Sequence, residues 1–242
     1  MADSAFSQLP LGLQLLPELD FDSYFAGPNV ETVAQVRRLA RHQGEPFLFL
    51  WGAPETGKSH LLQAACRTAS ERFGPAAYVP LGQADQFQPE MLDRLEHTSL
   101  VCLDDIQAIC GDRRWEEAIF HLFNRVRDGG GHLLAAADTN PHHLSLDLAD
   151  LRSRLGWGPV YRLRPLDDTQ RLPLLIHLAN RRGLVLEPDS ARYLLYRSQR
   201  GVGALVALLQ RLDHASLAAK RRLTIPFLRE VLANETQDPT GT

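Results

Sequence analysis

Eight consecutive residues constrain the fold of this chain more than any other segment: Gly52-Ala53-Pro54-Glu55-Thr56-Gly57-Lys58-Ser59. They follow the apolar run 46–51 and lead into a stretch with helical spacing. In the pattern G-x-x-x-x-G-K-S, the glycines let backbone N–H groups surround phosphates, the lysine offers a positive charge to the β- and γ-oxygens, and the serine is suited to Mg²⁺. The alternative is an ordinary glycine turn that feeds a helix. With a strand before it and a helix after it, the pattern predicts a P-loop that binds a purine nucleotide.

The apolar pattern alternates between strands and helices over the first 165 residues. Short apolar runs predict strands, and helical spacing predicts the helices between them. The predicted strands are 46–51, 77–81, 100–103, 132–137 and 160–163, and the predicted helices are 29–42, 61–66, 89–96 and 114–127. This alternation is typical of an α/β fold with a parallel sheet and helices on both faces.

The pattern changes after residue 166, where helical spacing continues without strands. Helices are predicted at 170–180, 190–197, 202–217 and 225–232. We therefore expect four segments. They are an extended tail at 1–19, an α/β nucleotide-binding domain at 20–165, a small all-helical lid domain at 166–233, and a disordered tail at 234–242.

Composition limits the partners and the compartment. The chain has 26 Lys and Arg against 29 Asp and Glu, so no global positive field gathers nucleic acid, and DNA contact is expected to be local or through a partner. Cys66, Cys102 and Cys110 lack C-x-x-C pairing, which favours reduced thiols over a metal site. A signal peptide and a run of membrane-spanning length are both missing from the sequence, so we expect a soluble, cytoplasmic protein without membrane partners.

Two aspartates follow the predicted strand 100–103. A P-loop enzyme needs a carboxylate at the end of a nearby strand to hold Mg²⁺, and Asp104 is the candidate. Asp105 is the candidate catalytic residue, because many such ATPases have a Glu there that orients the attacking water. Since Asp is shorter by one methylene, hydrolysis of the chain's own nucleotide is expected to be slow. The alternative is two acidic residues that cap a strand or a helix.

Polar residues also follow the next predicted strand. Asp138-Thr139-Asn140 comes directly after 132–137, where Asp138 is a candidate sensor of the γ-phosphate. Turn formation explains the same residues equally well.

Two arginines, Arg152 and Arg154, precede a Gly-Trp-Gly turn and the last predicted strand. The planar, permanently charged guanidinium suits a developing phosphoryl charge. If Arg154 lies at the edge of the domain, it would act as an arginine finger in trans on a neighbour's nucleotide. The alternative is a surface salt bridge.

The order of these motifs resembles that of the AAA+ ATPases. Four segments also resemble the bacterial replication initiator DnaA: 21–29 (FDSYFAGPN), 59–62 (SHLL), 104–107 (DDIQ) and 153–158 (SRLGWG). The likeness covers nearly the whole chain. Initiators of that family carry a further helix-turn-helix domain for origin DNA, and the sequence has no counterpart of it.

A DnaA-like module without the DNA-binding domain resembles the Hda family of DnaA regulators. Members of that family carry a clamp-binding peptide of the form Gln-Leu-x-Leu-Pro-Leu near the N-terminus. Gln8, Leu9, Leu11 and Leu13 match it, while Gly12 stands where proline is usual. Such a peptide would bind by a polar anchor and spaced leucines. Without the resemblance, the same leucines would be read as a strand edge or a hydrophobic staple.

The resemblance implies roles for individual residues. ADP or ATP would be bound by Asn29, Gly52, Pro54, Thr56, Gly57, Lys58, Ser59 and His60. Ser59 and Asp104 would hold Mg²⁺, and Arg154 would be inserted at the ATP of DnaA. The family's sensor II arginine has no match, because Gly203 stands at its position; Arg200, three residues earlier, is a candidate substitute.

These roles together describe a negative regulator of chromosomal replication initiation. It would stimulate hydrolysis of DnaA-bound ATP together with the DNA polymerase III sliding clamp (β subunit), and would meet DNA only through the clamp. A homodimer is left open. The alternative function is an autonomous AAA+ ATPase that resembles a helicase loader or a DnaA-like initiator module; direct binding to origin DNA is disfavoured by the near-neutral charge.

Overall fold

A computed structural model describes residues 19–197, 201–219 and 222–234 of the chain. The chain divides into two compact units, Met1–Pro165 and Leu166–Thr242. The predicted clamp-binding residues 8–13, the predicted sensor substitute Arg200, and residues 235–242 of the predicted C-terminal tail lie outside the described residues.

A five-stranded parallel sheet forms the centre of the first unit. The strands are β1 (Phe47–Trp51), β2 (Ala77–Pro80), β3 (Val101–Asp104), β4 (Leu133–Ala137) and β5 (Val160–Arg162), in the order β2-β3-β4-β1-β5. Residue Phe47 pairs with Leu133, and Phe49 pairs with Val160. Every residue of β3 and β4 is buried, as expected for near-continuous apolar runs in a sheet covered on both faces.

Helices cover both faces of this sheet. On one face α1 (Val30–Leu39) and α2 (Lys58–Phe73) pack on a core that contains Leu50, Cys102 and Leu134. On the other face α3 (Arg113–Asp128) and α4 (Ala149–Leu155) pack on Phe49, Leu103 and Ala135. The predicted α/β class with helices on both faces is therefore confirmed.

The described part of the second unit forms four helices: α5 (Asp168–Arg181), α6 (Pro188–Arg197), α7 (Val202–Ala219) and α8 (Ile225–Asn234). Asp167 begins α5 with a capping box, in which its side chain accepts from the backbone of Gln170 and the Gln170 side chain accepts from the backbone of Asp167. Leu175, Leu194 and Leu228 are fully buried between these helices. Within the described residues, no helix has both the length and the apolar character needed to cross a membrane.

The predicted helix at 89–96 is wrong. The structure has two 3-10 turns there, Pro89–Leu92 and Leu95–His97, separated by an extended Asp93 and a left-handed Arg94 with φ of 68°. The side chain of Arg125 donates to the carbonyl of Leu92 at 3.3 Å and to Glu96 at 3.0 Å. Because Arg125 gives the Leu92 carbonyl a partner, a continuous helix is not needed to satisfy it.

Candidate functional site

The glycine-rich loop joins the end of β1 to the start of α2, and its two glycines are fixed by different neighbours. A side chain at Gly52 would place its Cβ 2.6 Å from the carbonyl oxygen of Leu163. Gly57 has φ of 87°, and a Cβ there would lie 2.5 Å from the ring of Tyr24. The loop therefore holds its shape through close backbone approach at one end and a left-handed residue at the other. It ends at the N-terminus of a 16-residue helix, where unpaired N–H groups favour an anion.

Lys58 is buried at this loop, with 7% of its surface exposed. Its ammonium donates to the carbonyl oxygens of Gly52 at 2.8 Å and Ala53 at 3.2 Å. The Thr56 hydroxyl also donates to Ala53, at 2.9 Å. Since a phosphate oxygen is a stronger acceptor than a neutral carbonyl, the ammonium is suited to exchange these partners for a phosphate.

Ser59 and Asp104 meet beside the loop. Asp104 is the last residue of β3, has 1% of its surface exposed, and accepts a hydrogen bond of 2.8 Å from the Tyr78 hydroxyl. Burial raises the pKa of Asp104 above its ordinary value, and hydrogen bonds from Ser59 and Tyr78 offset part of the rise. A buried carboxylate with a hydroxyl beside it suits one Mg²⁺, which usually takes few protein ligands together with phosphate oxygens and water.

No larger metal cluster is present in the described part of the chain, where no group of three or more His, Cys, Asp or Glu could hold an ion. The donor pair Ser59 and Asp104 therefore fits a metal that phosphates complete, and does not fit a structural zinc site.

Gln107 connects the two polar strand ends. Its amide donates to the carboxylate of Asp105 at 2.9 Å and accepts from the backbone N–H of Asp138 at 3.1 Å. Asp105 has a left-handed backbone with φ of 56°, and its carboxylate lies next to Gly82. Asp105 and Asp138 thus lie at adjacent strand ends, as their positions after β3 and β4 predict. They are bridged by Gln107, for which the sequence predicted no role. A polar residue two positions after an acidic pair was the available signal.

The segment before α1 packs against the loop. The Tyr24 hydroxyl donates to the Thr56 carbonyl at 3.0 Å, and its ring meets His60 edge to face at 5.2 Å. Burial raises the pKa of Tyr24 to about 12, so it stays a neutral donor. His60 also contacts the Asp20 carbonyl at 2.8 Å. His60 is therefore brought to the loop, where contact with a nucleotide stays a prediction.

Asn29 is buried, but its side chain is used by the protein itself. The amide donates to the Arg164 carbonyl at 2.9 Å and accepts from the Arg164 N–H at 2.8 Å. These bonds fasten the start of α1 to the chain that follows β5. Asn29 is predicted to contribute to nucleotide binding. Because its amide group is already bonded to Arg164, that contribution would come mainly from holding the start of α1 in place.

The two arginines of α4 have different surroundings. Arg152 donates to the carbonyl of Leu146 and so fixes the loop before its own helix. The guanidinium of Arg154 lies over the ring of Trp157, 5.6 Å from its centre. The Trp157 ring in turn stacks with the Phe47 ring, with the ring centres 6.0 Å apart. Arg154 and Phe47 also line the same small cavity. Arg154 is thus near the first residue of β1.

The glycine-rich loop lies at the other end of that strand. It follows Trp51, the last of the five residues of β1. A strand of this length spans roughly 13 Å at about 3.3 Å per residue. The structure therefore does not bring Arg154 together with the chain's own Lys58, Ser59 and Asp104.

Glu116 was missed by the sequence reasoning. It is completely buried on α3 and accepts backbone hydrogen bonds from Gly111 at 2.8 Å, Asp147 at 3.1 Å and Leu148 at 2.7 Å. An acidic residue in the first turn of a helix is typical of an exposed position, so the pattern gave no signal. This carboxylate ties α3 to the loop that precedes it and to the loop that begins α4.

The fold and the loop together define a P-loop protein of the AAA+ class, with a helical lid. The family model described as the bacterial DnaA ATPase domain matches residues 15–162, more than half of the chain, and the chain belongs to that family. A second family model, described as the lid domain of Hda, matches residues 168–232. The predicted Hda- and DnaA-like identity is therefore confirmed.

Solved structures share this fold at low sequence identity. Domain III of DnaA from Thermotoga maritima has a TM-score of 0.76 and 21% identity, covering 91% of this chain and 98% of that one. AMPPCP-bound DnaA from Aquifex aeolicus has a TM-score of 0.72 and 23% identity, covering 92% and 71%. The RuvB branch migration motor of Thermotoga maritima has a TM-score of 0.62 and 18% identity, covering 91% and 73%.

Proposed function

We propose that this chain is a nucleotide-bound adaptor that restrains replication initiation by stimulating hydrolysis of ATP held by a DnaA initiator. Its membership in the DnaA ATPase family and its Hda-type lid support a role in DNA replication with DnaA as the partner. AAA+ modules of one family commonly associate through shared surfaces, so a DnaA-like module is suited to dock on DnaA itself.

The position of Arg154 is the observation that carries this proposal. Its side chain lies near the start of β1, whereas its own glycine-rich loop follows the end of β1. Among the residues that the structure describes, no carboxylate is paired with the Arg154 guanidinium, which lies over the Trp157 ring. An unpaired guanidinium remote from its own nucleotide site is suited to a phosphoryl group on another molecule.

The glycine-rich loop would hold ADP or ATP. Backbone N–H groups of residues 55–59 and the Lys58 ammonium would bind the phosphates, and Ser59 with Asp104 would hold Mg²⁺. The AMPPCP bound to DnaA in the Aquifex aeolicus structure, an ATP analogue, supports nucleotide binding by this fold. Bound Mg²⁺ would supply positive charge to the phosphate oxygens.

Asp105 supports a holding role for this site more than rapid turnover. Its carboxylate already accepts from the Gln107 amide, and it is one methylene shorter than glutamate. Reaching an attacking water would require this bond to be exchanged. The chain's own nucleotide would then serve mainly to set the conformation in which Arg154 is presented.

The sliding clamp is the second proposed partner, through residues 8–13. Only the sequence match of Gln8, Leu9, Leu11 and Leu13 supports this part of the proposal. Binding to a DNA-loaded clamp would raise the local concentration of the adaptor where DnaA acts.

Hydrolysis of ATP prebound to purified DnaA tests the proposed function. The rate should rise when this chain and a DNA-loaded clamp are added together, and should remain near that of DnaA alone when the chain is omitted. A rate that the chain leaves unchanged, with clamp and DNA present, would contradict the proposal.

An autonomous ATPase is the second candidate, favoured by the complete glycine-rich loop and the Ser59–Asp104 pair. This alternative, a helicase-loader-like motor or an initiator module, predicts steady turnover by the purified chain alone that is lost in Lys58→Ala. Negligible turnover with ADP retained through purification favours the adaptor.

A further inference from the structure

Trp157 is an exposed aromatic residue held by the core. The residue is 56% exposed, yet its ring stacks with that of Phe47, with the ring centres 6.0 Å apart, and packs on that of Phe123, with the centres 6.1 Å apart. Phe123 is itself buried on α3, and Phe47 begins β1. The ring is therefore fixed on one side and open on the other.

The backbone turn brings this ring to Arg154. The N–H of Trp157 donates to the Arg154 carbonyl at 3.1 Å, which closes the turn after α4. At Gly158 a Cβ would lie 2.2 Å from the Phe47 carbonyl oxygen, so the next residue is pinned against β1. As a result, the Arg154 guanidinium lies 5.6 Å from the ring centre, within the range of a cation–π contact.

A second arginine, Arg127, also lies over the Trp157 ring and is already paired with a carboxylate. The Arg127 guanidinium lies 5.5 Å from the Trp157 ring centre, but it also pairs with Asp128 at 2.8 Å. Among the described residues, the Arg154 guanidinium has no carboxylate partner and lies over the Trp157 ring. Of the two stacked cations, Arg154 is therefore the better suited to meet an anion from another molecule, because it has no ion pair to exchange.

We propose that Trp157 is the positioning residue for Arg154, holding its guanidinium on a fixed aromatic face for delivery to the nucleotide of a partner ATPase. The inference rests on the proposed function. A free arginine side chain loses considerable rotamer freedom when it is immobilised, and a pre-positioned one loses less at the moment of reaction. The effect should therefore appear in the rate of the stimulated step and not in the affinity of the two proteins.

The test measures stimulated hydrolysis of DnaA-bound ATP as the concentration of this chain is varied, with Trp157→Phe and Trp157→Leu. Removing the π face should lower the maximal rate about two- to fivefold, the loss of a partly exposed cation–π contact, with the half-saturating concentration unchanged. The Phe variant keeps a weaker π face and should fall between Trp and Leu. It also carries the test alone if the Leu variant does not fold.

Three further measurements separate the possible outcomes. Arg127→Ala should match the wild type, because Arg127 is paired with Asp128 and is not the cation that the proposal delivers to the partner. Adding Trp157→Leu to Arg154→Ala should cause no further loss, since the ring would act through that arginine. A maximal rate that does not depend on residue 157, or a loss confined to the half-saturating concentration, would overturn the inference while leaving the proposed function intact. If Arg154→Ala alone keeps full stimulation, the proposed function itself fails.

Discussion

The carboxylate of Glu116, on α3, accepts a hydrogen bond of 2.7 Å from the backbone N–H of Leu148, the residue before α4. The same group accepts from Gly111 and Asp147, so one buried side chain fixes the loop after β3 and the loop that begins the Arg154 helix. Glu116 thus satisfies the backbone N–H groups of Gly111, Asp147 and Leu148.

Replacing Glu116 by glutamine should destabilise the first unit. One of the two side-chain acceptor atoms becomes an N–H donor, which leaves the Leu148 N–H facing another donor, at a cost of about 1–3 kcal/mol in the free energy of unfolding. Urea denaturation followed by circular dichroism measures this change. Glu117→Gln is the matched control, because that side chain is 47% exposed and should change stability by less than about 0.5 kcal/mol. Equal stability of the two variants would contradict the assignment.

Asp104 should make the stability of the nucleotide domain depend on pH. Burial raises its pKa above the ordinary value of 3.8, so the folded chain holds this proton at pH values where the unfolded chain has lost it. The stability of the wild type should therefore fall relative to Asp104→Asn as pH rises from about 3.8 to the raised pKa, and then remain constant.

Denaturant unfolding of both proteins across this pH range measures the difference. A difference independent of pH, or one of the opposite sign, would contradict the raised pKa. Mg²⁺ with nucleotide should stabilise the wild type more than Asp104→Asn, because the metal supplies charge to the buried carboxylate.

Lys58→Ala should abolish stabilisation by nucleotide. Wild-type protein with ADP at about one hundred times its Kd should gain roughly 2.7 kcal/mol in the free energy of unfolding, since ligand binds only the folded chain. The variant should show no such gain. Thermal unfolding with and without ADP measures the effect, and Lys220→Ala, which changes the other lysine of the chain, is the control. A nucleotide-dependent gain in Lys58→Ala equal to that of wild type would refute the assignment.

Deleting residues 8–13 should remove binding to the DNA-loaded sliding clamp and leave ADP binding unchanged. The predicted peptide contributes a polar Gln8 anchor and spaced leucines, whereas the nucleotide site is built from residues of the folded domain. Surface plasmon resonance on immobilised clamp measures the first effect. Asp3→Ala with Ser4→Ala controls for changes elsewhere in the same tail. Retained affinity after the deletion would refute this role of the segment.

The strands and the glycine-rich loop were predictable because short apolar runs and the G-x-x-x-x-G-K-S spacing are local signals. The segment at 89–96 was not, since the side chain of Arg125 on α3 satisfies the Leu92 carbonyl, a long-range contact that no local pattern contains. Glu116, Gln107 and the ring of Trp157 were missed for the same reason. Their roles come from partners brought close only by folding.

Single-turnover hydrolysis of γ-labelled ATP prebound to DnaA tests the central proposal, that Arg154 acts on the nucleotide of another molecule. With clamp-loaded DNA present, wild-type chain should stimulate phosphate release, while Arg154→Ala should return the rate to that of DnaA alone. An arginine finger typically raises such a rate by a factor of about 10³–10⁵.

Arg154→Lys should recover little of the stimulation, because lysine lacks the planar fork of the guanidinium. Arg113→Ala, an exposed arginine on α3, is the control and should match the wild type. Stimulation by Arg154→Ala at the wild-type level would contradict the account.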